Sequence, residues 1–119
     1  MKKLDLRVKR TNKYIIEAFI RLVEEKGFEQ VTVQNIADEA MINRATFYAH
    51  YKDKQDLYEK IFDLAVESFT SILDFEDFVQ GNRIKIRKIE AAMTELFLHI
   101  QKNRSFYLTI MDASAIEII

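Results

Sequence analysis

Arg44, Thr46, Tyr48 and His50 place a guanidinium fork, a hydroxyl, a phenol and an imidazole along one short stretch of chain. Donors of this kind, presented together from a helix, suit the base edges and phosphate oxygens of a duplex groove. The flanking residues supply the means of presentation. Val33, Ile36, Ala37 and Ala40 recur at helical spacing, Ile42 takes the buried place of a turn, and Phe47 and Tyr51 lie four apart, as the inner face of a second helix requires. Two short helices hinged in this way make a helix-turn-helix, whose second helix fits the DNA major groove. Catalysis has no comparable support, because no Asp/Glu, His and Ser constellation shares a helical face.

The elements around this stretch are expected to be helical. The chain has 119 residues, 49% apolar and 31% charged, with two Gly and no Pro, which favours an all-α protein over a turn-rich β fold. That length allows a small N-terminal unit and the start of a second, not two full domains. Cysteine is absent, so disulfides and thiolate zinc sites are excluded and no cofactor or metal is implied. No signal-peptide core follows Lys2 and Lys3, and no run approaches the roughly 18 apolar residues of a membrane span, so a cytoplasmic protein without membrane contact is expected.

A net charge of −1 is unpromising for nucleic-acid binding until it is divided along the chain. Residues 1–13 carry Lys2, Lys3, Arg7, Lys9, Arg10 and Lys13 against Asp5 alone, a local +5, whereas residues 61–119 sum to −3. Residues 1–10 thus read as a basic arm beside the helix-turn-helix, able to meet phosphate or minor groove; a frayed, solvated terminus is the plainer alternative.

The first strong helix is expected from about Thr11 to Lys26, with an apolar stripe of Ile15, Ile16, Phe19, Leu22 and Val23. Gly27 ends it in a left-handed cap, and Phe28 folds back as a plug. Thr32 caps a helix from Val33 to about Ala40, and Asn43 caps the next. Asp53 and Asp56 resemble a capping box opening a long fourth helix, about Lys54 to Leu73. A loop over 74–82 leads to a helix from about Arg83, where Ile86, Ile89, Met93, Leu96, Phe97 and Ile100 repeat near the helical period; a last helix starts near Ser105. The ending Ile116-Glu117-Ile118-Ile119 is apolar enough to suggest a chain that continues.

Gly27-Phe28, Thr32-Val33, Ile36-Ala37, Ala40, Arg44-Ala45-Thr46-Phe47-Tyr48, His50-Tyr51, Lys52-Asp53-Lys54 and Leu57 closely resemble the N-terminal DNA-binding domain of TetR/AcrR-family bacterial regulators. The resemblance covers roughly residues 11–60. It implies a three-helix DNA-binding domain joined by a long fourth helix to a partial helical ligand and dimerisation domain over 61–119. It also implies a homodimer that represses from a palindromic operator and is released by a small-molecule effector. Met41 departs from the pattern, standing where the family usually has Gly, so the turn must avoid positive φ or accept strain.

Arg44, first in the recognition helix, is placed to read guanine, with a phosphate clamp or solvation as alternatives. Ala45 could approach a thymine methyl, although helix propensity explains it equally well. Gln34 could reach a base or phosphate, or be an ordinary exposed helix Gln. Thr46, Tyr48, His50 and Lys54 look like the family's phosphate-contact set, and Asn43 belongs to the same interface as the cap. Phe62, Phe69, Met93, Phe97, His99 and Tyr107 could line a regulatory pocket, although at helical spacing such residues are more often core. Arg83 to Lys88 reads as a solvated basic face. A different outcome for the same fold is a truncated member acting as a helical protein-interaction module, its helix-turn-helix kept as scaffold.

Overall fold

The computed structural model describes residues 2–112, with side chains from Asp5 onward; Ile116 to Ile119, and the side chains of Lys2 and Lys3, lie outside the described residues. In chain order the elements are α1 (Lys2–Lys26), a 3-10 turn (Phe28–Gln30), α2 (Val33–Ala40), α3 (Arg44–His50), α4 (Lys54–Ile72), α5 (Phe75–Phe78), β1 (Val79–Gln80), β2 (Arg83–Ile84), α6 (Ile86–Lys102) and α7 (Arg104–Ile110). The all-α expectation holds apart from one short antiparallel hairpin, Val79 opposite Ile84, which overruns the expected 74–82 loop, so that the helix expected from about Arg83 begins at Ile86.

Helices α2 to α5 begin where side chains take up free amides. Thr32 Oγ1 accepts from Asn35 N (3.0 Å), and Asn35 Oδ1 accepts in return from Thr32 N (3.1 Å), a reciprocal box opening α2. Asn43 Oδ1 accepts from Thr46 N at 2.7 Å to open α3. Asp53 caps α4 through Asp56 N, while Asp56 accepts from Lys52 N at 2.9 Å. That backbone donor is the main reason the Asp56 carboxyl titrates below its usual range.

Gly27 ends α1 with φ 80° and ψ 157°. The positive φ was expected, but this is not the left-handed helical region; it is an extended region essentially confined to Gly. The sharp turn drives Phe28 into the core at 1% exposure, edge-on to Phe19 (6.1 Å) and Tyr58 (5.6 Å). Ile15, Phe19, Ile36, Phe47, Leu57 and Ile61 are each fully buried in the same cluster, which Ile110 of α7 also joins. The 58 side chain ties α4 to α7 directly, its hydroxyl donating to the Ile110 carbonyl at 2.6 Å. Burial raises the Tyr58 pKa, with Asp112 adding to the effect.

One boundary is corrected. The basic residues expected as an arm continue α1 as helix back to Lys2. No Gly or Pro interrupts residues 2–26, and Lys, Leu and Arg are good helix formers, so nothing in the sequence stops the helix at Thr11.

At the turn, Met41 accepts the strained alternative, with φ 59° and ψ 44°. Its N–H reaches Asp38 O (3.1 Å) and the Ile42 N–H reaches Ala37 O (2.9 Å), the paired bonds of a Schellman motif. A left-handed non-glycine residue costs roughly 1–2 kcal/mol, and Met41 is 90% exposed, so its side chain recovers little of that through packing. Met41→Gly should therefore raise stability by about 0.5–1 kcal/mol, once glycine's greater unfolded-state entropy is counted. Urea denaturation of the two proteins checks this; an equal or lower midpoint for the glycine variant would show that Met41 carries no strain.

Candidate nucleic-acid interface

Phe47 is fully buried and Tyr51 nearly so, which fixes how α3 is rolled. Arg44, Ala45, Tyr48 and Ala49 then face solvent, while Thr46 and His50 are half-buried. This is the helical pattern of neighbours one and four apart. The alternation 44, 46, 48, 50 has the period of a strand and does not describe this surface. Ala49 was missed in the sequence for that reason, although the buried pair at 47 and 51 already pointed to it.

The outward face is flat at Ala45 and Ala49 and polar at Arg44 and Tyr48. The Arg44 guanidinium sits 5.9 Å from the centre of the Tyr48 ring, and that ring stands edge-on to Phe47 at 5.5 Å. A planar donor fork is thus held over a ring that the core itself supports. The Tyr51 hydroxyl donates to Asn12 Oδ1, anchoring the end of α3 to α1. Burial is the main cause of a raised Tyr51 pKa, opposed by the Asn12 bond and reinforced by Asp56. On α1 and α2, Arg21 and Glu39 form an ion pair that braces the helix preceding the turn.

Several sequence-predicted residues are engaged within the fold. Thr46 donates its hydroxyl proton to Asn43 Oδ1 at 2.8 Å, so both side chains serve the cap. Gln34 is exposed and donates to Asp38 at 2.8 Å along its own helix. His50 shares a cleft with Asn12, Tyr51, Lys60 and Asp63.

Lys54, expected among the phosphate contacts, is engaged within the fold. Its ammonium donates to the carbonyls of Phe28 (2.7 Å), Glu29 (3.1 Å) and Val31 (2.9 Å), and lies 4.5 Å from the centre of the Phe28 ring. An ammonium has three donors, and all three are used here, leaving none for a phosphate. Desolvation by burial lowers the Lys54 pKa, with the Glu29 carboxylate opposing it.

The expected pocket set also divides. Phe69, His99 and Tyr107 come together: Tyr107 stands edge-on to Phe69 at 5.6 Å and to His99 at 5.4 Å, and its hydroxyl is hydrogen-bonded to His99 Nε2. Burial raises the Tyr107 pKa. Phe62, Met93 and Phe97 instead face outward, at 38%, 42% and 68% exposure. α6 turns its small Ala92 inward, which puts Met93 and Phe97 on other sides of the helix, so the six residues do not enclose one cavity. Among the described residues no three His, Asp or Glu side chains are grouped to hold a metal, and no helix is long and apolar enough to cross a membrane.

A capped three-helix unit with its last helix rolled outward defines a helix-turn-helix protein. Residues 15–61 match the family model for bacterial regulatory proteins of the tetR family. The HTH-type transcriptional regulator AcrR of Shigella flexneri is 24% identical over 91 residues, 76% of this chain and 40% of that protein. The negative transcriptional regulator IcaR of the biofilm operon icaADBC in Staphylococcus epidermidis is 36% identical over 62 residues, 51% of this chain and 31% of that protein. The fold is shared with the crystal structure of a TetR family transcription regulator from Marinobacter aquaeolei, at a TM-score of 0.69 and 21% identity over 93% of this chain and 56% of that one. Residues 15–61 are thus similar to the N-terminal unit of the tetR family, and the relatives they resemble are named transcriptional regulators. The chain spans well under half the length of AcrR and IcaR.

The placement of Lys54 gives a test of its role. Lys54→Met should destabilise the fold by about 1–3 kcal/mol, the range for losing hydrogen bonds to a charged group. Chemical denaturation measures it; unchanged stability together with weakened DNA binding would return Lys54 to the phosphate-contact set.

Proposed function

We propose that this chain is the DNA-binding front of a transcriptional repressor. In this reading residues 11–60 form the DNA-binding domain and residues 61–119 begin the helical regulatory domain. The whole protein works in the cytoplasm as a homodimer on a palindromic operator, because two recognition helices must sit about one duplex turn apart, roughly 34–36 Å, to read paired half-sites. A small-molecule effector bound by the second unit releases it. The negative regulatory name of IcaR supports repression.

The observation that carries the DNA reading is the outward face of α3, where Arg44 and Tyr48 flank the two alanines. Small side chains let the helix backbone approach the groove floor, and Arg44, at the N-terminal end of the helix, lies where base contacts are made. Asn43, Thr46 and His50 border that face; Tyr48 offers a hydroxyl to the phosphate backbone, and Gln34 lies on the preceding helix. Of the aromatic set, Phe69, His99 and Tyr107 are the group placed to respond to an effector. A protein-interaction module without DNA binding has no comparable feature on α3 to support it.

Selection of bound sequences from random duplex DNA tests this reading. Arg44→Ala should alter the selected consensus and cost about 1–3 kcal/mol on the preferred site, the worth of a bidentate base contact. An unchanged consensus rejects base readout by Arg44.

Tyr48→Phe keeps the ring beneath Arg44 and removes only the hydroxyl. It should weaken all duplexes alike by about 0.5–1.5 kcal/mol, with the consensus intact. In fluorescence anisotropy, a loss confined to one base position would instead make Tyr48 a base reader.

A further inference from the structure

The basic N-terminal segment has no part in the contacts described so far, and the helical form of its backbone changes what it can do. At its C-terminal end α1 lies against α7, where Val23 and Glu24 share a cleft with Leu108 and Thr109. One turn near its middle passes the α2–α3 turn and the C-terminal end of α3: Thr11 and Tyr14 line a cleft with Met41 and Ile42, and Asn12 accepts the Tyr51 hydroxyl. Residues 5–10 lie beyond that crossing, on the side away from α7. At 1.5 Å per residue, Asp5 is about 10 Å further along the axis than Asn12.

Every residue from Asp5 to Arg10 is exposed, including Leu6 at 59% and Val8 at 45%. Arg7, Lys9 and Arg10 take part in none of the ion pairs among the described residues; Lys13 pairs only at 3.9 Å with Glu17. Three cations without an ion pair, on a helix that projects past the α2–α3 turn and the end of α3, repel one another unless an anion answers them.

We propose that residues 5–10 form a rigid second DNA-contact element, in which Arg7, Lys9 and Arg10 hold the phosphate backbone of the duplex flanking the half-site read by α3. This rests on the reading of α3 as the recognition helix. Because the element continues a helix already anchored at Asn12 and Ile15, little ordering entropy is lost when it binds, unlike a flexible arm. Phosphate contacts carry no base information, so it lengthens the footprint without changing the sequence read.

The test uses the 119-residue chain and the duplex it selects from a random pool, once trimmed to the half-site and once with flanking DNA. Anisotropy titrations over a range of salt compare the parent with a combined Arg7→Ala, Lys9→Ala, Arg10→Ala variant. The variant should bind the trimmed duplex as the parent does and lose affinity for the flanked one, with a salt slope smaller by about 2–3, near one per phosphate released. Circular dichroism confirms that the fold is kept. Val8→Pro, which preserves every charge and restarts the helix at residue 8, should lose only the share of the flank-dependent gain that Arg7 supplies, about one unit of salt slope.

A triple variant with the parent's slope on flanked DNA overturns the inference and leaves the α3 reading standing. Equal losses on both duplexes overturn it too, by placing the charges on the half-site. Full flank-dependent binding by Val8→Pro would show a flexible arm in place of a helical element. A parent chain that binds no duplex at all overturns both readings together.

Discussion

An ammonium group surrounded by three carbonyls holds the connection between α1 and α2 against the first turn of α4. Lys54 takes the Phe28, Glu29 and Val31 oxygens and covers the Phe28 ring, so one side chain satisfies a short connector and caps its hydrophobic plug. Phe28 in turn bridges Phe19 of α1 and Tyr58 of α4. Neutral hydrogen bonds here would contribute about 1 kcal/mol each, whereas bonds to a charged donor are worth about 1.5–3, which suits a joint that must not flex.

Local chemistry was legible in the sequence and tertiary competition was not. Thr32, Asn43 and Asp53 open their helices as expected, because a cap involves an oxygen and an amide two or three residues away. Phe47 and Tyr51 were legible as core from their four-residue spacing, and Phe28 from the glycine cap before it. Lys54 was not, since its acceptors lie more than twenty positions earlier in the chain, and a basic residue at a helix start reads equally as an anion site. The pocket residues show the same limit. Phe69 and Phe97 share a residue type and a helical setting, and only tertiary packing decides that Phe69 of α4 meets Tyr107 of α7 while Phe97 of α6 faces solvent.

Met41 shows a local rule overridden at a cost. Its position calls for Gly, and the left-handed backbone is nevertheless adopted because the alternative would break the two Schellman bonds and move Ile42 off its packing against the core. Two backbone hydrogen bonds and a half-buried isoleucine outweigh a strain of roughly 1–2 kcal/mol. The side chain that incurs the strain projects into solvent at the hinge between α2 and α3.

α7 returns to the N-terminal core. Ile110 is buried in the same cluster as Phe47, and its carbonyl accepts the Tyr58 hydroxyl. Tyr107, three residues earlier on α7, meets Phe69 and His99. One short helix therefore touches the aromatic cluster and the core on which the recognition helix is seated. Withdrawing Ile110 and breaking that hydrogen bond would cost about 2–4 kcal/mol by burial and bond strength together. That is comparable to the 1–3 kcal/mol typical of coupling between two sites. The α7 contact is thus a substantial part of what seats the core beneath α3.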